Sequence, residues 1–273
     1  MASTHPSLTS PSHLATPHAS RRAVAAGIAV ALAVSWAYLL YMVWGMANMD
    51  AVADSLLMPS MTDWDGTDLL RVFVMWSIMM AAMMLPSAAP LLFLMARIND
   101  GGRFSRERAL VATGVFGLGY LAVWTGFSVL ATLAQWGMLE ARLVSPMMDS
   151  ASPFLSAVLL VTAGAYQFSP LKHVCLARCR SPLSVLMTQW REGFSGAFAM
   201  GFRQGVYCTG CCWLLMALLF VFGVMNLIWI AALSFLVLLE KLLRQPRWVA
   251  QVAGALLLGW GALVAGQAAI LLH

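Results

Sequence analysis

Charge is what this 273-residue sequence has least of. Lys, Arg, Asp and Glu make up 10% of it, against 61% hydrophobic residues. A soluble domain carries about 25% charged residues, so there is too little polar surface here to coat a water-soluble particle. Other signatures are missing as well. The sequence has no phosphate-cradling glycine loop, no Ser-His-Asp grouping and no paired-histidine metalloprotease helix. These absences argue against a hydrolase or an ATP-driven pump and lean away from an enzyme altogether. No nucleic-acid motif is present, and none is needed to explain the formal charge of +5.

What is there instead is apolar sequence in blocks of roughly 20 residues, long enough to cross a bilayer. The expected fold is therefore all-α, a polytopic bundle of transmembrane helices with the lipid bilayer as its first partner. Residues 1–22 are rich in Ser, Pro and His without an apolar period, and are expected to form a disordered tail. Residues 23–272 make up the transmembrane domain. Arg21 and Arg22 precede an apolar run, Ala23 to Met46, that is too long for a signal peptide and reads as an uncleaved span. Further runs cover Leu69–Ala96, Ala109–Met138, Pro153–Phe168 and Ala197–Phe222, then a short one ending at Leu239, and Val249–Leu272. Pro86 and Pro90 are expected to kink or break the second of these. Gly114, Gly117 and Gly119 should let the third approach a neighbour closely. The count is seven spans, or six if the turn at Gly223–Asn226 is not a true reversal.

The basic residues test that count. With seven spans and a cytoplasmic N-terminus, all of the 16 Lys and Arg except Arg71 and Arg142 fall on the inner side. Such a bias is what the positive-inside rule demands. The stretch carrying Asp50, Asp54, Asp63, Asp65 and Asp68 falls outside and reads as a solvated loop.

All five cysteines lie between positions 175 and 212, within a polar loop and span segment taken as 169–212. Cys175 and Cys179 are spaced i, i+4, and Cys208, Cys211 and Cys212 are spaced i, i+3, i+4. In a helix each spacing puts its sulfurs on one face. The topology places both groups at the inner membrane side, the trio towards the cytoplasmic end of its span. Four thiolates from two helical corners make a tetrahedral metal site, with His173 as a substitute ligand. Lys172, Arg178, Arg180 and Arg203 are close enough in sequence to offset the negative charge. The bland reading is packing, since free Cys is readily buried; a disulfide is disfavoured on a reducing side. In the second span Met79 and Met83 continue a ladder from Met75, and Met80 and Met84 form an adjacent one. Met is an ordinary residue in lipid, but its thioether also suits Cu(I) better than Zn(II), so the metal ion expected is Cu(I) before Zn(II). Tyr166, Gln167 and Asn226 read as interhelical hydrogen bonders, and Glu240 with Lys241 as a local pair.

Three blocks carry a family resemblance. They are Met79-Met-Ala-Ala-Met-Met-Leu-Pro86, Tyr166 to Lys172 followed by Cys175-Leu-Ala-Arg-Cys-Arg-Ser-Pro182, and Gly201 to Met216 with Glu240-Lys241. Over about Leu69 to Lys241 the chain resembles the bacterial family of predicted metal-binding integral membrane proteins, DUF2182, catalogued as a domain of unknown function. The resemblance implies a multi-pass protein of the bacterial inner (plasma) membrane with a metal site, and no established reaction. Two further classes stay open beside copper transport, chaperoning or delivery to a client metalloenzyme or metallochaperone. One is a membrane thiol–disulfide oxidoreductase using Cys208 with Cys211, and the other is a structural zinc clamp.

Overall fold

The computed structural model describes residues 17–48, 64–100, 106–143, 152–181, 191, 193–243 and 245–271, and all regular structure among them is helical. The apolar runs become α1 (Pro17–Ala47), α2 (Gly66–Asp100), α3 (Arg106–Glu140) and α4 (Pro153–Gln167). After these come α5 (Pro170–Arg180), α6 (Gly193–Ala217), the single turn α7 (Leu219–Phe222), α8 (Leu227–Leu242) and α9 (Pro246–Leu271). The end of the expected tail, from Pro17, is already helical. Residues 1–16, with His5 and His13, lie outside the described residues, as do Asp50, Asp54 and Asp63.

Local chemistry sets several helix starts. The Asp65 carboxylate accepts from the Thr67 and Asp68 amides at 2.8 and 2.9 Å at the head of α2. Ser152 and Ser169 cap α4 and α5 through their hydroxyls, each followed by Pro at the first helical position, where the missing N–H costs nothing. Asn226, expected to bond between helices, caps α8 instead by accepting from the Ile228 amide at 3.2 Å. The preceding reversal needs Gly223 at φ +91°, a conformation that side-chain-bearing residues seldom adopt.

Five of the described helices are long and apolar enough to cross a membrane: Arg21–Met46, Gly66–Ile98, Glu107–Glu140, Gly193–Phe222 and Arg247–Ile270. A sixth arises if α4 and α5, bent by 63° at their junction, form one broken span. The short sixth run, ending at Leu239, does not reach this length. Helix α8 has 16 residues, about 24 Å at 1.5 Å per residue, against a hydrocarbon core of about 30 Å. The exterior is apolar, with Phe154, Ile228, Leu263 and Ile270 all open to the surroundings, while Gln135, Lys172, Gln204 and Glu240 are buried inside. Apolar residues outside and polar ones inside is the pattern that suits lipid rather than water.

Prolines do not break α2, which runs unbroken through Pro86 and Pro90. Side chains around the pair bond to nearby carbonyls. Ser87 Oγ and Tyr120 Oη reach the Met84 carbonyl at 2.8 and 3.3 Å, and Ser234 Oγ reaches that of Met83 at 3.2 Å.

Glycines bring α3 against α6. A Cβ at Gly119 would strike the Phe198 carbonyl, one at Gly201 the Phe116 carbonyl, and one at Gly205 would lie 2.9 Å from the Tyr120 carbonyl. Gly119 thus makes the close approach expected of it, while Gly114 faces open space. Gly201→Ala is expected to cost about 1–3 kcal/mol, because the obstacle is rigid backbone. Gly114→Ala should be neutral or slightly stabilising. Thermal unfolding of the purified variants checks both, and equal behaviour would refute the close crossing.

Candidate metal centre

The α3–α6 crossing aligns Tyr120 with Cys208 and so builds the first wall of the site. Cys208 is the sixteenth of the 25 residues of α6, about 22 Å from the helix start. It therefore stands just past the middle of that helix. Cys211 and Cys212 point the same way, each thiol donating to the Cys208 carbonyl at 3.0 Å. All three are buried.

Helix α5 supplies the fourth sulfur. It crosses α6, and its two cysteines, one turn apart, both turn towards that helix. The Cys179 sulfur lies beside those of Cys208 and Cys211. Gln204 fixes the junction, its amide N–H₂ donating to the Cys179 carbonyl at 3.3 Å and to its sulfur at 3.5 Å. Cys175 rests on Gly210, where an added Cβ would lie 2.9 Å from its sulfur. It touches the same helix at Gly210, apart from the sulfurs beside Cys208. His173 lines a different cavity, with Arg180, Arg247 and Trp248.

The charge beside the sulfurs comes from an unexpected residue. Lys241 Nζ donates to Cys208 Sγ at 2.9 Å and to Ser87 Oγ at 2.7 Å. Tyr120 Oη lies 3.0 Å from the same sulfur. An ammonium in that position is the counter-ion a thiolate needs in a low-dielectric interior. Lys241 does not pair with Glu240. Glu240 instead holds Lys172 through both carboxylate oxygens at 2.8 Å, and Gln167 Oε1 accepts from the same ammonium. This buried knot joins the α4–α5 corner to α8. Of the other cations expected at the thiols, Arg180 shares a cavity wall with Cys179, while Arg178 and Arg203 turn away. Arg178 and Arg203 are exposed and lie over the Tyr207 ring at 5.8 and 5.9 Å. Arg180 donates to the carbonyls of Lys241 and Leu243. Tyr166 bonds between helices as expected, to the Gly210 carbonyl.

Met79, Met80, Met83 and Met84 are all fully buried, 0–1% exposed. Their helix meets the thiols through backbone, since Tyr120 bridges Cys208 to the Met84 carbonyl. Among the described residues, no group of three or more His, Cys, Asp or Glu side chains is set at metal-ligand spacing. The four sulfurs instead lie beside one another, with the Cys211 and Cys212 thiols donating to the Cys208 carbonyl. As a donor set they are soft, with no carboxylate among them, which matches a soft cation rather than Mg or Ca.

The family model of PpoB2, described as a copper chaperone, matches residues 73–264. The chain belongs to this copper chaperone family. No curated protein and no solved structure matches it. The matched stretch takes in all five cysteines, the methionine ladder, Tyr120, Lys241 and the Lys172–Glu240 pair; α1 precedes it. Sequence reasoning overlooked Tyr120, Ser87 and Gln204. Each is one polar residue in an apolar helix, and only Lys241, a cation beside Glu240 at the end of an apolar run, carried a visible signal.

Proposed function

We propose that this member of the copper chaperone family is a multi-pass protein of the bacterial inner membrane, with a cytoplasmic N-terminus. It holds Cu(I) as cargo on Cys179, Cys208, Cys211 and Cys212 and hands it to a client metalloenzyme or metallochaperone. The resemblance to predicted metal-binding integral membrane proteins belongs to the same reading. Cys175, one turn from Cys179 and against the same helix, is a relay sulfur. Met79, Met80, Met83 and Met84 continue the path into the bilayer, and His173 stands as an outer ligand on the same helix as Cys175.

The observation that carries this is the meeting of sulfurs from two helices around Cys208, with one ammonium beside them. Charge supports copper over zinc. Cu(I) needs only two of the four sulfurs as thiolates, the other two staying protonated, and two thiolates with one Cu(I) sum to −1, which Lys241 neutralises. Four thiolates and Zn(II) sum to −2, leaving −1 buried, and an uncompensated buried charge costs several kcal/mol. The same balance and the family match favour copper handling over thiol–disulfide exchange.

X-ray absorption on the purified full chain loaded with Cu(I) tests the reading. An all-sulfur shell is expected, with Cu–S distances of low-coordinate Cu(I). A shell dominated by nitrogen or oxygen, or no retained copper, would overturn it.

A further inference from the structure

A cavity of about 250 Å³ opens beside Cys179, walled by Ser87, Tyr120, Cys179, Arg180, Gln204 and Lys241. It has several times the room that one water takes and approaches the lower size of small-ligand sites. Of the four cysteines that meet at α6, Cys179 is the partly exposed residue and lines this cavity, while Cys208, Cys211 and Cys212 are buried. Two lining residues are cationic, and among the described residues no carboxylate lines the cavity. Among the described residues Arg180 is bonded to carbonyl oxygens and to no carboxylate, so its charge is not cancelled there. Gln204 is 4% exposed, and its Oε1 has no hydrogen-bond partner.

A bare Cu(I) ion entering here would meet positive charge at the mouth. From this we infer that the cavity is a docking vestibule for copper delivered as an anionic complex of a small acidic thiol, not as a free cation. This rests on the copper reading above and adds the form in which the cargo arrives. The acid groups of the carrier face Arg180 and Lys241, and the Gln204 carbonyl accepts from a carrier N–H or O–H. Copper then moves by ligand exchange, with Cys179 the first sulfur to attack. Two Cu–S bonds to the carrier break and two to cysteine form. Each incoming thiol releases one proton, and each departing carrier thiolate takes one up. The ion remains Cu(I), so no oxidant or reductant is needed.

Loading rates from two bis-thiolate Cu(I) complexes test this, one of mercaptosuccinate, which is anionic, and one of cysteamine, which is cationic. The full chain in detergent is the acceptor, and the final copper per chain is measured alongside. For each carrier the rate is expressed relative to Arg180→Gln, which removes differences in the carriers' own lability. Wild type is expected to load from mercaptosuccinate about tenfold faster, relative to the variant, than from cysteamine. That preference should shrink as salt rises. Arg180→Lys keeps the charge without the paired carbonyl bonds and should keep the preference, which separates charge from folding. If both carriers give the same ratio, or Arg180→Lys behaves as Arg180→Gln does, the vestibule assignment is overturned while the final copper content still supports the chaperone reading. If no carrier loads copper, both readings fall together.

Discussion

Changing Cys208, Cys211 and Cys212 together to Ser is expected to reduce bound Cu(I) from about one ion per chain to background. Thiolate is the ligand Cu(I) selects, and a hydroxyl offers no soft donor in its place. The change removes three of the four sulfurs that meet around α6, leaving Cys179 without a partner. Ser is close in size to Cys, so the α3–α6 crossing, set by Gly119, Gly201 and Gly205, should persist. Cys175→Ser provides the contrast. Its sulfur packs on Gly210, apart from the other four, so final copper content should stay near wild type even where transfer slows. Copper per chain by elemental analysis decides the matter. Equal copper in wild type and triple variant would end the case for this site.

Glu240→Gln is expected to cost about 3–5 kcal/mol of stability, because it leaves the Lys172 ammonium buried without its counter-charge. Lys172 is 0% exposed and Glu240 is 1% exposed, so water cannot take over. The loss should reach the metal centre as well. Lys172 lies two turns before Cys179 on α5, and its bond to Glu240 pins that helix to α8. Copper affinity should therefore fall although no sulfur has been changed. Replacing both partners, as Lys172→Met with Glu240→Leu, should recover much of the stability, since an apolar pair of similar volume is tolerated where a lone charge is not. Unfolding of wild type, Lys172→Met, Glu240→Leu and the double variant in one detergent gives the double-mutant cycle, with Glu240→Gln measured beside them. A single-variant loss below about 1 kcal/mol would show that the pair is not the tie described.

Much of the fold was legible because its causes are local. Apolar runs of bilayer length mark α1, α2, α3, α6 and α9 directly, and the glycines of α3 announce a close neighbour, though not which one. The span count was less secure. Apolar composition cannot distinguish a full crossing from α8, whose 16 residues end at a charged pair. Nor does it foresee the 63° bend that puts α5 across the bundle and Cys179 at α6. The pairing of Glu240 with Lys241 failed for a reason the helical wheel contains. Residues i and i+1 point about 100° apart and do not face each other, so one turns to Lys172 and the other to Cys208.

By itself the sequence determined the helical class, the apolar exterior and the common face of each cysteine group, since all three depend on periodicity within a single segment. Tertiary structure alone decided which sulfurs meet and which cation attends them. Cys179 joins Cys208 while Cys175 settles on Gly210, and Lys241 reaches the sulfur from 33 positions away. A buried charge must find its partner wherever packing brings one within about 3 Å, and chain separation has no bearing on that distance.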